Sequence, residues 1–592
     1  MTTPSCPSLD SLPDTSPRRR RQIVLLCAVP AIMAGLVYVN ALHNPFVWDD
    51  FRVVANNRSL ESLTHLRAIA LHEASRPIVN FSYAVDRAIW GTGTFGFHLT
   101  SILLHVLNVV LLFLLARRLV ADGQSGSSRP SVPIDPDSAA ACAATLFAVH
   151  PIMTEAVGYI SARADVLCTT FLLAACLSAR RWVHGGPMRS LAITAASWLL
   201  ALGTKEIAVV FPVLLLGYRS FAANASSSPV SERLRRLTAA LLAVTLVAAA
   251  TRLAVLLIIE NPRPIAVHWS LVLVELDVVR LYLTLLIRPA AQSILHPVNA
   301  IPSLLSFSAL LAVGVPMALI LLAHRMRRVN GAIGLGIWWF LAALVPPAVL
   351  AVLDLGHPLA EHRAYLPCCG LFIAVGIGVA WAVGQPLHST RLRILRPVTV
   401  GIAIVTLAGS TIVRNAVWAD DTILWLDAVQ KAPDIWLPHL MLGEAFHRRG
   451  DHERAIMAFR SAVHLRSDHA DAHLKLGLCL LEMNRIEEAR DEFTALRRLD
   501  PRSPAGPTGL GTLAMIAGRW REAEEQFSEA LLLDPPSITA RQSLALLNER
   551  TDRPAEALRW CREIEVLAPE TPDNTECLRR NASRLVAPPP AR

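Results

Sequence analysis

The sequence predicts an all-α protein, in which a bundle of about eleven membrane helices is followed by a helical solenoid. Of its 592 residues, 53% are hydrophobic and only 17% are charged, and the mean hydropathy is +0.42. These values are typical of a multi-span membrane protein. Apolar runs long enough to cross a bilayer recur as far as residue 414, and the remaining third is polar and repetitive.

The first membrane helix is predicted at residues 23–42, directly after four arginines that end a cytoplasmic tail at 1–21. The apolar run is too long for a signal peptide and no small-residue cleavage site follows it, so we expect a retained anchor. The later spans are predicted at 98–116, 138–150, 166–180, 190–204, 207–219, 237–259, 303–323, 332–353, 365–384 and 397–414.

The distribution of arginine predicts the orientation of these spans. With a cytoplasmic N-terminus, every arginine-rich loop falls on the cytoplasmic side, as the orientation rule expects. The net charge of +9 is therefore explained without a nucleic-acid partner. Residues 271–287 contain Glu275, Asp277 and Arg280, and reading them as a span would invert every later loop. We predict an interfacial or re-entrant helix on the outer side for this segment.

Most ionisable residues that accompany apolar segments fall on the outer face under this topology. Ionisable groups at membrane depth are costly and usually line a cavity or bind substrate, so the set predicts a site. The alternative interpretation is that these residues are solvated loop ends and ion pairs within the bundle, without a shared site. The set consists of Asp49, Asp50, Asp86, His150, Glu155, Arg163, Asp165, Lys205, Glu206, Glu361, His362 and Arg363.

The last third of the chain repeats every 34 residues. Small residues, an aromatic residue and a proline recur in register, which is the tetratricopeptide signature of helix pairs stacked into a peptide-binding solenoid. We predict a connecting half-repeat at 416–433, an extracytoplasmic repeat domain at 434–572 and a tail at 573–592. The main columns are Gly443, Gly477 and Gly511; Ala455, Ala489, Ala523 and Ala557; Phe459, Phe493 and Phe527; and Pro501, Pro535 and Pro569.

The ten cysteines carry no paired metal-ligand spacing, so most are interpreted as small buried residues. Cys561 and Cys577 can pair if the repeats lie in an oxidising compartment. His98, His105 and Asn108 share one helix face, and we expect them to make hydrogen bonds inside the bundle.

Four motifs in order resemble those of one enzyme family. They are "SRPIVNFSYAVDRAIWGTGTFGFHLTSILLHVLN" at 75–108, "LFAVHPIMTEAVGYISARADVL" at 146–167, "TKEIAVVFPVLLL" at 204–216 and "AEHRAYLP" at 360–367. With the repeats behind them, the chain resembles the transmembrane and tetratricopeptide-repeat O-mannosyltransferases and their bacterial relatives. Two departures are Ser161-Ala162-Arg163 for small-Gly-Arg, and Glu361-His362-Arg363 for the Glu-Arg pair of animal members, which leaves the arginine's role to His362 or Arg363.

The resemblance implies a catalytic membrane domain of the GT-C type at 22–415. It implies transfer of a sugar, typically mannose, from a dolichyl- or polyprenyl-phosphate donor to Ser or Thr, with inversion. It also implies that the acidic pair Asp49-Asp50 is catalytic, with Asp49 as the general base. We expect a multi-pass protein of the bacterial inner membrane, or of the endoplasmic reticulum if the source is eukaryotic, with protein or peptide acceptors on the repeats.

The chemistry agrees with these residue types. An acceptor hydroxyl loses its proton as it attacks, which suits a carboxylate base, and the leaving phosphate needs cations. Trp48 is interpreted as stacking on the sugar or lying in the interfacial aromatic belt. The predicted donor-binding residues are Arg363, Lys205, Arg163, His150, Glu155, Glu206, Asp165, Glu361 and His362.

No cofactor is expected to be obligatory, because direct displacement of a monophosphate needs a metal less than diphosphate chemistry does. The alternative is Mg²⁺ or Mn²⁺ held by Asp49, Asp50 and either Glu155 or Glu361. Competing functions are sugar transfer to a lipid or glycan, and a non-catalytic membrane scaffold for the repeats. The repeats weigh against a lipid acceptor, and a scaffold needs one membrane helix. A transporter is disfavoured because its charges would lie near the bilayer midplane.

Overall fold

The computed structural model describes residues 17–125, 134–221, 229–255, 269–301, 303–353, 357–385, 390–569 and 572–586. Within these ranges all regular secondary structure is helical. The chain divides into two compact units, Met1–Leu424 and Trp425–Arg592. This boundary falls inside the predicted connecting half-repeat. The first 16 residues of the predicted N-terminal tail lie outside the described residues.

The described residues of the first unit form fifteen α-helices and the start of a sixteenth, besides short 3₁₀ and π turns. They are α1 Pro17–Val37, α2 Leu66–His72, α3 Pro77–Trp90, α4 Thr94–Ser125, α5 Pro136–Val149, α6 Thr154–Gly158, α7 Arg163–Val183, α8 Met188–Leu202, α9 Phe211–Phe221, α10 Pro229–Val255, α11 Trp269–Ile287, α12 Phe307–Met326, α13 Gly331–Val352, α14 Tyr365–Gly384 and α15 Thr390–Val417, then α16 Asp421–Lys431.

Eight helices in the described residues are long and apolar enough to cross a membrane, and a ninth candidate is the bent pair Pro136–Val149 and Pro151–Gly158. The sequence predicted about eleven, and each predicted span contains helix. The difference comes from α8 and α9, which have 15 and 11 residues. At 1.5 Å per residue they are roughly 23 and 17 Å long, shorter than a hydrocarbon core of about 30 Å.

The polar residues of α4 make the expected hydrogen bonds inside the bundle. The ring of His105 bonds to the Tyr365 hydroxyl through Nδ1 at 2.7 Å, and Asn108 Nδ2 donates to the Val166 carbonyl at 2.9 Å. His98 Nε2 donates to the backbone carbonyl of Asn44 at 3.0 Å. These contacts pair one polar atom of each side chain, and an unpaired polar group is costly in a membrane.

Helix α11 covers the segment for which an interfacial or re-entrant placement was predicted. It contacts the turns at the carboxyl end of α5 and the amino end of α14. The Leu286 carbonyl accepts from His150 at 3.0 Å, and the Tyr282 hydroxyl donates to the Ala360 carbonyl at 2.7 Å. Asp277 and Arg280 pair on the helix itself. Whether α11 crosses the membrane stays a prediction.

The second unit consists of helix pairs, as the 34-residue period predicted. In three of these pairs a glycine of the first helix packs against a phenylalanine of the second, as Gly443 with Phe459, Gly477 with Phe493 and Gly511 with Phe527. At Gly443 an added Cβ would lie 2.5 Å from the Phe459 ring, so a side chain cannot fit there. The helices are α17 Trp436–Arg448, α18 His452–Leu465, α19 Ala470–Glu482, α20 Ile486–Leu499, α21 Ala505–Ile516, α22 Trp520–Leu533, α23 Ile538–Arg550, α24 Pro554–Leu567 and α25 Pro572–Val586.

A disulfide joins Cys561 on α24 to Cys577 on α25, with the two Cα atoms 6.1 Å apart. This is the pairing that the sequence allowed for an oxidising compartment. The bond cross-links the last two helices of the solenoid. The last six residues of the predicted tail at 573–592 lie outside the described residues.

Candidate functional site

A cavity of about 200 Å³ opens in the first unit where several short turns lead into membrane helices. The 3₁₀ turns Ile160–Ala162, Glu206–Val210 and Glu361–Ala364 precede α7, α9 and α14 respectively. Charged residues on these turns, or in the first helical turn after them, therefore meet at one end of the bundle. The predicted site residues that line the cavity are Asp49, Glu155, Asp165, Lys205, Glu206, His362 and Arg363.

Asp49 faces this cavity with a side chain that is 44% exposed. Its carboxylate lies 3.7 Å from Arg52 Nε, and its backbone N–H donates to the Tyr159 hydroxyl at 3.1 Å. The preceding residue, Trp48, has φ +46°, a left-handed conformation that is rare for a bulky side chain. Such strain persists when the surroundings hold it, and it is concentrated at functional sites. Asp49 is thus accessible on a backbone that is fixed from both sides.

Asp50 is buried beneath the cavity and does not line it. Its Oδ1 accepts from the Ser161 amide at 2.8 Å and from the Ser161 hydroxyl at 2.6 Å, and Oδ2 accepts from the Val47 amide at 3.2 Å. Burial raises the pKa of Asp50 to about 7, although the hydrogen bonds from Ser161 and Val47 oppose the shift. Asp50 therefore anchors the turn that carries Asp49.

Two of the cations at the cavity are neutralised by carboxylates. Lys205 Nζ lies 2.6 Å from Asp165 Oδ2, and both side chains are nearly buried. Arg76 lies between Glu206 at 3.5 Å and Glu73 at 3.7 Å. The pKa of Glu206 is lowered: burial acts to raise it, but the charges of Arg76 and Lys205 outweigh burial.

Arg363 differs from those two cations. Its Nη1 donates to the backbone carbonyl of His357, and no carboxylate among the described residues lies within ion-pair distance. The pKa of His357 is lowered by burial first and then by the charge of Arg363, whereas the charge of Asp49 acts to raise it. Both charges therefore act on one imidazole, whose ring centre lies 6.4 Å from that of Trp48. Asp49 and Arg363 thus line one cavity and act on the same imidazole.

Glu155 and His362 form a pair at the cavity wall. Glu155 Oε1 bonds to His362 Nδ1 at 2.7 Å, and Oε2 accepts from the His362 backbone amide at 3.1 Å. This pair joins α6 to the turn before α14. In the Glu-His-Arg sequence, His362 is thus held by Glu155, whereas Arg363 has no ion-pair partner within the described ranges.

Arg163 is one of three predicted donor-binding residues that the structure does not bring to the cavity. Its guanidinium is fully buried and pairs with Asp86 at 2.6 Å. It also donates to the Phe97 carbonyl at 2.6 Å and lies over the Tyr83 ring at 4.7 Å. Arg163 holds α3, α4 and α7 together and has no charge left for a ligand.

His150 and Glu361 also point into the protein. His150 Nδ1 accepts from the Ile152 amide at 3.2 Å and Nε2 donates to Leu286, so both ring nitrogens are used. Glu361 accepts from the Ser293 amide at 2.7 Å and from His296 Nε2 at 2.9 Å. These contacts fix the loop after α11 against the turn before α14.

Sequence reasoning gave too little weight to three cavity residues. Arg76 was not among the predicted site residues, yet it lines the cavity with Tyr159 and His357. Arg76 lies in the first of the four motifs, and that signal could have identified it. Tyr159 lies within the second motif, between residues already selected, whereas His357 lies outside all four.

The carboxylates proposed as the alternative metal ligands do not form a cluster in the described residues. Asp50 and Glu361 are turned away from the cavity and accept hydrogen bonds from protein groups. Among the described residues, histidine and cysteine side chains that could hold a metal ion do lie close together at one place in the second unit. That the reaction needs no metal stays a prediction.

The fold and this cavity define a class of protein, namely multi-span helical membrane proteins that carry tetratricopeptide repeats. The tetratricopeptide repeat family model matches residues 426–504 and 508–574. The protein O-mannosyl-transferase Tmtc3 of Drosophila melanogaster is 24% identical over 608 residues, which cover 89% of this chain and 65% of the relative. TMTC3 of Mus musculus is 25% identical, covering 88% of this chain and 60% of the relative.

These comparisons support the family that the motifs indicated: the chain is a relative of the transmembrane and tetratricopeptide-repeat O-mannosyltransferases. It spans 60–65% of the length of those two relatives. Tmtc1 of Drosophila melanogaster is 33% identical over a shorter stretch, 31% of this chain and 21% of the relative. Among solved structures, MamA is 20% identical and covers 27% of this chain and 89% of its own, with a TM-score of 0.23.

Proposed function

We propose that this chain is an integral-membrane glycosyltransferase. It moves a sugar, mannose by analogy with its relatives, from a polyprenyl-phosphate donor to Ser or Thr hydroxyls of extracytoplasmic proteins. The cavity takes the donor's sugar phosphate, and the repeats present the acceptor. The relatives' names support protein O-mannosylation, and the repeats support a protein partner. The observation that carries the proposal is that the accessible Asp49 carboxylate lines the same cavity as Arg363, which pairs with no carboxylate in the described part of the chain.

The proposed reaction is a single displacement. The acceptor oxygen attacks the anomeric carbon, and the bond from that carbon to the phosphate oxygen breaks. The hydroxyl proton passes to Asp49, and the phosphate leaves with the electron pair. Because the leaving group gains charge as the bond breaks, a cation at that point stabilises the transition state. Arg363 can fill that role, since no described carboxylate neutralises it.

The neighbouring residues position these two groups. Asp50 and Tyr159 hold the turn that presents Asp49 through the contacts with Ser161 and the Asp49 amide. The pair of Glu155 and His362 fixes the turn that presents Arg363. A shift of about 1 Å at such positions can lower a rate by roughly 10²-fold, so these contacts matter even without touching substrate.

The test is Asp49→Asn in the full-length protein reconstituted in nanodiscs with a polyprenyl-phosphate mannose donor and a Ser/Thr peptide. Removing a general base lowers the rate by about 10²–10⁴-fold. We expect that loss in turnover, with donor binding retained, because the Asp49 side chain is 44% exposed and the change keeps its shape. The matched control is Glu61→Gln, an exposed acid that does not line the cavity.

Near wild-type turnover in Asp49→Asn would exclude Asp49 as the base. If the wild type transfers sugar to a lipid or glycan but not to the peptide, the transferase proposal stands and the protein acceptor is wrong. If neither acceptor is modified, the glycosyltransferase proposal fails.

A further inference from the structure

Four side chains of the second unit converge at the junction between two consecutive helix pairs. His447 lies in the last turn of α17 and His452 is the first residue of α18. The intervening turn contains Gly450 at φ +75°, and it brings the centres of the two imidazole rings to 5.4 Å. Cys479 and Glu482 lie three positions apart on α19, so they share one face of that helix.

Three of the six separations between their ligand atoms are close to those around a tetrahedral ion, namely those from Glu482 to the two histidines and from Cys479 to His452. Glu482 Oε2 lies 3.4 Å from His447 Nδ1 and 3.3 Å from His452 Nδ1, and Cys479 Sγ lies 3.9 Å from His452 Nδ1. Zn–N bonds of about 2.0–2.1 Å and a Zn–S bond of about 2.3 Å place tetrahedral ligands roughly 3.3–3.6 Å apart. The potential ligand atoms of the two histidines and the cysteine all lie within 4.8 Å of one another.

We propose that His447, His452, Cys479 and Glu482 form a zinc site that joins the first helix pair of the solenoid to the second. Two imidazoles and a thiolate favour zinc over magnesium or calcium, which prefer oxygen ligands. An independent observation points to a missing ligand: His447 Nδ1 is buried and makes no hydrogen bond among the described residues. The side chains of His447, His452 and Glu482 are 38%, 32% and 48% exposed, so an ion can reach the site.

The bound ion would act as a cross-link. The two histidines belong to the turn between α17 and α18, and the other two ligands belong to α19, the first helix of the next pair. Because zinc binds the folded arrangement and not the separated helices, it stabilises the folded solenoid as its concentration rises. The alternative is that Glu482 only pairs with protonated imidazoles, and in that case no stoichiometric zinc binds. This proposal does not depend on the proposed enzymatic activity.

The experiment uses the full-length protein in detergent, purified through a tag that contains no histidine and stripped of metal by a chelator. Zinc chloride is titrated, and bound zinc per chain is measured by elemental mass spectrometry. Cobalt chloride then serves as an optical probe for a thiolate-to-metal charge-transfer band. We expect one zinc per chain and a cobalt band that depends on Cys479.

The variants are His452→Gln, Cys479→Ser and Glu482→Gln, with His439→Gln on the same helix α17 as the matched control. Losing a hydrogen-bond partner of a metal ligand typically costs about 10–100-fold in affinity, so losing a ligand should cost at least that much. His439→Gln should bind as the wild type does. Glu482→Gln, at a half-exposed position, keeps the test valid if Cys479→Ser fails to fold.

Three outcomes would overturn the proposal. The first is no zinc bound to the wild type above the level of a chain without the ligands. The second is unchanged affinity in the His452 and Glu482 variants, which would place the ion elsewhere. The third is cobalt binding without a charge-transfer band, which would remove Cys479 from the ligand set.

Discussion

Several ion pairs of the membrane unit are buried, whereas most of those in the repeat unit are exposed. Arg163 and Asp86 have side-chain exposures of 0% and 4%, whereas Arg521 and Glu525 on α22 have 95% and 64%. A charge left alone in a buried site is strongly destabilising, but an exposed pair contributes little because water solvates both partners. The comparison teaches that the same kind of contact fixes the geometry of the membrane unit and hardly affects the repeats.

Apolar packing shows the opposite difference, because it contributes more to specificity in the repeat unit than in the membrane unit. The repeats are held by apolar contacts in which a small residue admits an aromatic ring, as at Gly443 and Phe459. Membrane helices gain no comparable hydrophobic drive from one another, since lipid is as apolar as they are. Their specificity comes from buried polar contacts such as that of His105 with Tyr365.

The strongest test of this contrast is Asp86→Ala. It leaves the Arg163 guanidinium buried without its carboxylate, and breaking one partner of a buried pair typically costs about 3–5 kcal/mol. We expect loss of that order in the free energy of unfolding of the membrane unit, measured by thermal or denaturant unfolding in detergent. The double variant Asp86→Ala with Arg163→Met removes both charges and should recover part of the loss. An Asp86→Ala protein as stable as the wild type would contradict the structural role of the pair.

The next test uses pH and concerns Asp50, a buried carboxylate that pairs with no cation among the residues the structure describes. Its pKa is raised in the folded state from 3.8 to about 7, so the folded protein keeps a proton that the unfolded chain loses. Its contribution to stability is therefore complete below about pH 4, declines as the pH rises to about 7 and is constant above that. Each pKa unit of difference corresponds to about 1.4 kcal/mol.

The measurement for Asp50 is the difference in unfolding free energy between the wild type and Asp50→Asn across this pH range. The variant lacks the titrating group, so its stability should change less between pH 4 and 7. Parallel curves for the two proteins would show that Asp50 has an ordinary pKa. Glu61→Gln, which changes an exposed acid, is the control and should leave the curve unchanged.

In the repeats, Gly443→Ala should destabilise by about 1–3 kcal/mol, because the added methyl group meets the Phe459 ring at 2.5 Å and packed cores resist overfilling. The readout is the unfolding transition of the second unit, followed by circular dichroism. A double variant with Phe459→Leu makes room and should recover part of the loss. A neutral effect of Gly443→Ala would show that the two helices are less tightly packed.

The smallest expected effect is that of Arg521→Ala, which removes an exposed ion pair with Glu525 at 3.3 Å. Exposed pairs contribute about 0.2–1 kcal/mol, so we expect a change below about 1 kcal/mol. The same unfolding measurement serves, with Glu525→Gln as the matched variant. A loss as large as that of Asp86→Ala would break the contrast between the two units.

The predictions from sequence succeeded where a signal is local and periodic. The repeats could be predicted from the 34-residue period. Each helix pair contacts only its neighbours, so the small and aromatic residues that these contacts require recur at a fixed spacing. Apolar runs gave the membrane helices for a similar reason. Their number was less certain, because the lengths of α8 and α9 depend on where turns such as Glu206–Val210 end them.

Within the site, the sequence predicted that Asp49 and Arg363 belong to the same site. It could not show which of the predicted cations would be neutralised by a carboxylate. Arg163 and Arg363 look alike in sequence, yet Asp86 neutralises the first from 77 positions away. Likewise, Asp49 and Asp50 are adjacent, and the contacts of Asp50 with Ser161 and Val47 turn one inward while the other stays accessible. Whether a charged side chain is neutralised or left accessible therefore depends on which residues, distant in sequence, lie next to it in the folded protein.

The sequence by itself determined the helical class, the two units and the set of charged residues that follow membrane helices. These properties depend on hydrophobicity, period and neighbouring residues, which are written along the chain. The tertiary structure decided which charges are neutralised and which face the cavity. It also decided that two histidines and a cysteine meet between repeats. Those outcomes depend on distances between residues far apart in sequence, which are fixed only when the helices pack.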